Sequence, residues 1–238
     1  MNSIKKQARF AGLLYLLACL PAPFCLIYIP GVLIVPGDAT ATADHVRASE
    51  TLLRFGMAGE LINAIGFIFV VFALYRLFKG VNKHHAAIMV TLFVVSVPIS
   101  FFNVLNDIAP LILVSGANFL SIFDKGQLDA LVYLFLRLHS QGLLVAQIFW
   151  GLWLFPFGIL AIRSGFIPRF LGVLLIIACL AYLADSFTFL LLPQYGHRVS
   201  NFATVFEGIG ELSIVFWLLV WGAKVPLQDQ PRLDPIVA

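Results

Sequence analysis

Apolar residues run along this chain in long blocks, each separated from the next by a short polar or charged stretch. A transmembrane helix needs about 20 mainly apolar residues. Six blocks meet this length, at roughly 10–35, 53–78, 86–114, 129–162, 169–192 and 203–223. Because lipid offers the backbone no hydrogen-bond partner, such blocks should be α-helices. The pattern predicts an all-α integral membrane protein, a six-transmembrane-helix bundle over residues 1–225 with a short cytoplasmic tail at 226–238.

Composition indicates the same class of protein. Of the 238 residues, 61% are hydrophobic and 11% are charged, whereas about 25% of the residues of a soluble domain are charged. The net charge of +3 is too small to indicate nucleic acid as a partner, so the expected partner is the lipid bilayer. The three cysteines lie in apolar blocks without a CxxC pair, which is typical of small buried side chains.

Lysine and arginine are unevenly distributed between the two sides of the predicted membrane. Ten of the 15 fall on the side that carries both termini, and five fall on the other side. The positive-inside rule then predicts that both termini are cytoplasmic. The longest outer loop is PGDATATADHVRASETLLRFG, residues 36–56, where Thr42 or Asp44 is expected to cap a short helix.

Prolines and a repeated motif refine this topology. Pro98 is expected to kink the third span and Pro156 the fourth, as are the prolines of the first span. RFAGLLYLLACL at 9–20 aligns with RFLGVLLIIACL at 169–180, and GEL recurs at 59–61 and 210–212. One interpretation is a bundle of three helical-hairpin repeats; the other is chance similarity between apolar helices. In the repeat alignment Gln147 lies opposite Glu60.

Polar residues recur inside the apolar blocks at steps of three and four, which places them on one face of each helix. Since lipid-facing charges are costly, these stripes are expected to face the bundle interior. Serine, threonine and asparagine can simply hydrogen-bond between helices, but buried acids need protons, cations or arginine partners. The candidate ligand-binding residues are Glu60, Asn63, Asn103, Asp107, His139, Gln147, Asp185, Glu207 and Glu211.

The depth of these residues in the membrane indicates what kind of site they form. Counting about 1.5 Å per residue from the inner flanks puts the acids in the outer half of the membrane. The inner halves, such as IFVVFAL and IFWGLWLF, are almost pure hydrocarbon. The pattern therefore predicts an outward-open acidic pocket that is closed below, not a pore, which would need a polar lining throughout.

Several motifs together resemble a known family: IVPGDATATADHVRASETLLRFG, LRLHSQG, GLWLFPFG, RSGFIPRFLGVLL, YLADS and the final GEL. The chain is similar over nearly its whole length to bacterial six-helix membrane proteins known only as domain of unknown function 4386. The resemblance implies a multi-pass protein of the bacterial cytoplasmic membrane. It implies no activity.

Three functions remain open. The first is a binding or sensory protein whose pocket holds a small or cationic ligand. The second is a membrane-embedded, metal-dependent, hydrolase-like enzyme, with His139, Asp185 and Glu211 as candidate catalytic residues and candidate metal ligands. The third is a proton- or cation-coupled transporter. The sequence decides neither whether the protein is an enzyme nor which cofactor it uses, and the metal ion is a candidate only.

Overall fold

Helices account for most of the residues that the structure describes. The computed structural model describes residues 3–223. Six helical segments in that range are long and apolar enough to cross a membrane, as predicted. They are Ser3–Leu33, Glu50–Phe78, Lys83–Val114, Lys125–Arg163, Arg169–Leu191 and Pro193–Val220. The predicted tail at 226–238 lies outside the described residues.

Three of the spans are interrupted, and a short extra helix lies between the first two. The helices are α1 (Ser3–Cys19), α2 (Ile29–Leu33), α3 (Ala39–Ala48), α4 (Glu50–Phe78), α5 (Lys83–Asn103), α6 (Leu105–Val114), α7 (Lys125–Leu152), α8 (Leu154–Arg163), α9 (Arg169–Leu191) and α10 (Pro193–Val220). A π-helical turn, Phe24–Tyr28, joins α1 to α2. The extra helix is α3.

Two of the interruptions lie beside prolines, as expected. Pro21 comes shortly after Cys19, the last residue of α1. Pro156 lies four residues after Leu152, the last residue of α7, and its ring removes the N–H that would bond to the Leu152 carbonyl. The third span differs from the prediction, because α5 continues through Pro98 and the interruption falls at Val104.

Spans that are consecutive in the sequence are also neighbours in space. α1 packs on α4, α4 on α5, α5 on α7, α7 on α9, α9 on α10, and α10 on α1. The six spans therefore form a closed ring. Small residues allow close packing where α1 meets α4: a Cβ added at Gly66 would lie 3.2 Å from the Cβ of Ala18. Nearby, Asn63 Nδ2 donates a hydrogen bond to the Ala18 carbonyl at 2.7 Å.

Two apolar clusters fill the ring, one at each end. The smaller cluster lies at the end that carries α3, called here the α3 end, and includes Ile29, Leu33, Val46, Leu111, Val132 and Leu136. The larger cluster fills the opposite end, where the nearly pure hydrocarbon segments were predicted. It includes Tyr15, Phe78, Phe93, Trp153, Phe157 and Leu218. Apart from Asp129, which lies near the α3 end, the buried polar residues of the spans lie between these clusters, so the fold presents a polar layer with apolar packing on both sides.

The helix α3 covers its end of the ring. Its N-cap is Asp38, which accepts a hydrogen bond from Ala41 N at 2.9 Å, so the predicted caps Thr42 and Asp44 were wrong. Thr42 is fully buried instead, and its hydroxyl donates to the Asp38 carbonyl at 2.8 Å. Asp38 is the better cap because its extended backbone precedes the first helical residue, Ala39.

A network of four charged side chains attaches α3 to α7. Arg47 donates to Asp129 at 2.5 Å and to Asp44 at 2.6 Å. Lys125 lies 2.7 Å from Asp129 and 3.5 Å from Asp44. The Asp129 side chain is only 1% exposed. Burial alone would lower the pKa of Arg47, but its hydrogen bonds to the two carboxylates raise that pKa above the usual range.

Candidate functional site

Three ionisable side chains from three different spans meet beneath the α3 end. Glu60 lies on α4, Asp107 lies in the first turn of α6, and His139 lies in the middle of α7. The helix α6 begins at Leu105, directly after the interruption at Val104 and two residues before Asp107. We call Glu60, Asp107 and His139 the triad.

The imidazole of His139 bridges the two carboxylates. Its Nε2 lies 3.2 Å from Glu60 Oε2, and its Nδ1 lies 2.8 Å from Asp107 Oδ1. All three side chains are largely buried, with 11% of Glu60, 11% of His139 and 4% of Asp107 exposed. Within residues 3–223, only the triad gathers three potential metal-ligand atoms within 4.8 Å of one another.

Asparagine side chains support the triad from α5 and α6. Asn103 Nδ2 donates to the backbone carbonyl of His139 at 2.9 Å. Asn106 Nδ2 in turn donates to Asn103 Oδ1 at 3.1 Å. A Cβ added at Gly142 would overlap the Asn103 amide. Gly142 therefore leaves the space in which Asn103 can hold the backbone of α7 at His139.

Two small cavities meet at Glu60. One lies toward the α3 end and is lined by Asp107, His139 and Ser140 together with apolar residues such as Leu33. The other lies deeper, and its polar lining includes Asn63, Ser96 and Ser100. Each has a volume of about 30 Å³, and about 10–15 Å³ is enough to hold one water. The cavities thus have the size of a water or a small ion.

The triad offers two chemical states. With a proton on both ring nitrogens, His139 can donate a hydrogen bond to each carboxylate. Alternatively, one imidazole nitrogen and two carboxylate oxygens form a mixed ligand set that suits divalent metals such as Zn²⁺ or Mn²⁺. Ligand atoms within 4.8 Å of one another can reach a common ion after small side-chain rotations.

A second group of acids lies between α1, α9 and α10. Glu211 accepts hydrogen bonds from the hydroxyls of Tyr15 and Tyr182, the latter at 2.6 Å. Asp185 accepts a hydrogen bond from Gln147 Nε2 at 2.8 Å. Glu207 lies one helical turn before Glu211 and within electrostatic range of both Asp185 and Glu211. We call Asp185, Glu207 and Glu211 the acid cluster.

The structure therefore divides the predicted site residues between two places. Glu60, Asp107 and His139 come together, and Asn103 contacts the backbone of His139. Among the predicted metal ligands, Asp185 and Glu211 lie in the acid cluster and are not part of the group around His139. Gln147 also belongs with Asp185, to which its Nε2 donates a hydrogen bond.

Sequence reasoning missed one partner of the acid cluster. Tyr15 was not selected, although a hydroxyl in the apolar part of α1 after Arg9 was a usable signal, and it binds Glu211. Around the triad, the cavity toward the α3 end is small, and Leu33 and Leu136 are among its lining residues. Near the start of the second span, Asp44 of α3 joins the ion-pair network, and Glu50, the first residue of α4, pairs with Arg54 at 3.6 Å.

Six apolar helices around buried ionisable residues define a multi-pass membrane protein. The chain belongs to the family described as Domain of unknown function (DUF4386), whose family model matches residues 10–222. It is also similar to an uncharacterized protein of Archaeoglobus fulgidus, with 29% identity over 171 residues, which is 72% of this chain and 86% of the relative. No solved structure matches it.

Proposed function

We propose that this protein binds a small cation, foremost a divalent metal ion, at the triad inside the membrane. The observation that carries this proposal is the meeting of Glu60, Asp107 and His139, with ligand atoms within 4.8 Å of one another, in a largely buried place. Such groups are costly in lipid unless they are paired or ligate an ion. The supporting role of Asn103 resembles the outer hydrogen bonds that orient metal ligands.

The size of the cavities favours an ion over a larger organic ligand. Each cavity beside Glu60 has a volume of about 30 Å³, whereas pockets for drug-sized molecules have about 300–1,000 Å³. A binding or sensory role fits a small enclosed site of this kind. We therefore narrow the predicted small or cationic ligand to a small inorganic cation.

Cation transport is the second candidate function, and the position of Glu60 favours it. Glu60 borders both cavities, and the deeper one offers the oxygen atoms of Asn63, Ser96 and Ser100. A cation released from the triad would find its next oxygen ligands there. Catalysis is less favoured, because Asp185 and Glu211, the other two candidate catalytic residues, lie in the acid cluster and are not grouped with His139.

We further propose that the α3 end faces the outside of a bacterial cytoplasmic membrane, with both termini in the cytoplasm. The lysine and arginine count supports this orientation. The closed ring of consecutive spans is compatible with three hairpin repeats. The triad would then lie nearer the outer surface, and the larger apolar cluster would separate it from the cytoplasm.

Metal binding by the full-length protein in lipid nanodiscs tests the proposal. The protein is stripped with chelator and loaded with Zn²⁺ or Mn²⁺ alone, and bound metal is measured by elemental analysis and titration. We expect about one equivalent per chain and an affinity at least roughly 10–100-fold weaker in Glu60→Gln and Asp107→Asn, because losing a ligand should cost no less than altering a residue that only orients one.

Glu50→Gln is the matched control, because Glu50 lies on the same helix but forms only an exposed pair with Arg54. It should bind metal like the parent protein. The proposal is overturned if the parent binds neither metal, or if the triad variants bind as tightly as Glu50→Gln.

A further inference from the structure

The acid cluster is a separate feature that the proposed cation site does not use. It lies where α9 and α10 pack together and where α1 meets α10. Glu211 is held by two tyrosine hydroxyls, one from α1 and one from α9. These hydrogen bonds stabilise the Glu211 carboxyl group but involve neither Asp185 nor Glu207.

Asp185 and Glu207 each carry a buried oxygen that has no hydrogen-bond partner in the part of the chain that the structure describes. Asp185 is 4% exposed and Glu207 is 9% exposed. Asp185 Oδ1 and Glu207 Oε1 have no partner, although Gln147 satisfies the other Asp185 oxygen. A buried carboxylate oxygen without a donor is costly, so the ionised form is poorly accommodated at both positions.

No positive side chain offsets these charges. Within residues 3–223, Asp185, Glu207 and Glu211 form no ion pair with lysine, arginine or histidine. The titratable groups that face them are Tyr15 and Cys19 on α1 and Tyr182 on α9, and the neutral Gln147 of α7 donates a hydrogen bond to Asp185. If all three acids were ionised, three negative charges would lie together in the membrane.

We propose that Asp185 and Glu207 form a proton-binding site between α9 and α10, distinct from the triad. Protons neutralise carboxyl groups that have neither donors nor cations around them. A multivalent metal ion fits this place less well, because three ligand atoms of the acid cluster do not come within 4.8 Å of one another, whereas those of the triad do. The bound ligand is the proton, and the site takes it up as a neutral carboxylic acid.

Infrared spectroscopy of the full-length protein in lipid membranes tests this inference. A protonated carboxyl group has a C=O stretch that is separate from the bands of the ionised carboxylate. We expect this band in the parent protein at neutral pH, free of divalent metal, and its loss as the pH is raised. The double variant Asp185→Asn/Glu207→Gln should lack the band.

One further variant and one further measurement make the result specific. Glu60→Gln alters the triad only and should keep the band, so the outcome does not depend on metal binding there. The double variant should fold, because its amides mimic neutral carboxylic acids and the amide oxygen introduced by Asp185→Asn can still accept from Gln147. Its melting temperature should change less than that of the parent when the pH is raised from neutral.

Each contrary result overturns the inference. The absence of a protonated C=O band from the parent at neutral pH would show that the acids are ionised. A band that persists in the double variant would place the proton elsewhere. A band that disappears when Na⁺ or another metal ion is added at constant pH would identify a cation site instead.

Discussion

At the scale of single residues, a glycine determines whether the triad can form as it does. Gly142 lies one turn after His139 on α7, and the Asn103 amide occupies the space where a side chain would begin. Asn103 uses that position to donate to the His139 carbonyl. The imidazole of His139 can bridge the two carboxylates only if the α7 backbone at His139 is held in place. A residue without ionisable atoms is therefore expected to control the geometry of an ionisable site.

We predict that Gly142→Ala destabilises the protein by about 1–3 kcal/mol, the usual cost of forcing extra atoms into a packed site. Metal affinity at the triad should also fall, because the added Cβ forces the Asn103 amide to move. Thermal unfolding and metal titration measure the two effects.

Gly208→Ala is the control for this substitution. Gly208 lies inside α10, and a Cβ there would meet nothing within 4 Å. Alanine should stabilise the helix at that position by roughly 0.5–1 kcal/mol. Equal effects of the two substitutions would contradict the role given to Gly142.

At the scale of elements, α3 acts as a cover that is attached by charge. Ala43 and Val46 of α3 join the smaller apolar cluster, and Arg47 connects the helix to the buried Asp129 of α7. Leu33 and Leu136 of the same cluster line the cavity at the triad. How firmly α3 is held should therefore influence how easily an ion or water enters that cavity.

We predict that Arg47→Ala loosens α3 and costs roughly 1–3 kcal/mol, because Asp129 loses one of its two charged donors. Hydrogen exchange of the α3 amides should become faster, and metal should bind and leave the triad faster.

Arg54→Ala provides the comparison. Its partner Glu50 is 3.6 Å away and both side chains are well exposed, so the cost should be only about 0–1 kcal/mol. If Arg47→Ala leaves α3 exchange and metal kinetics unchanged, α3 does not control access.

At the scale of the whole molecule, the apolar packing that covers the polar layer is thinner at the α3 end than at the opposite end. The triad is covered at the α3 end by one short helix and a small cluster, whereas the larger cluster fills the opposite end. Trp153 is 1% exposed, and its ring packs against those of Phe93 and Phe157 at 5.6 and 5.5 Å. A cation is thus expected to enter from the α3 end, and the orientation of the bundle decides which compartment supplies it.

We predict that a cysteine at position 121 reacts with a membrane-impermeant thiol reagent from outside the cell, whereas one at position 80 does not. Ser121 is exposed in the loop before α7, and Gly80 is exposed in the turn between α4 and α5 at the opposite end. Labelling of Ser121→Cys and Gly80→Cys in intact cells measures this difference.

The native protein serves as the background, because Cys25 and Cys179 are buried and Cys19 is partly buried. Labelling after cell lysis should reach Gly80→Cys as well. The opposite pattern would place the α3 end in the cytoplasm and reverse the proposed direction of cation entry.

Much of the site's membership could be read from spacing along each helix. Asn103, Asp107, His139, Asp185 and Glu207 were all expected to face the interior, and all are buried. The pairings could not be read in the same way. Glu60 lies on α4 and contacts His139 on α7, and the spacing along either helix does not indicate that contact. A count along one span treats it as straight, whereas the fourth span is 39 residues long and is interrupted at Trp153.

The sequence by itself determined the class of protein, the six spans and the burial of the polar stripes, because lipid acts on each residue according to its own polarity and its place on one helix. Only the tertiary structure decided that the acids divide into a triad and an acid cluster, that Tyr15 holds Glu211, and that α3 covers the triad. Those features depend on where helices are interrupted and on how neighbouring helices pack. A local sequence pattern does not determine a contact between residues as far apart in the chain as Tyr15 and Glu211.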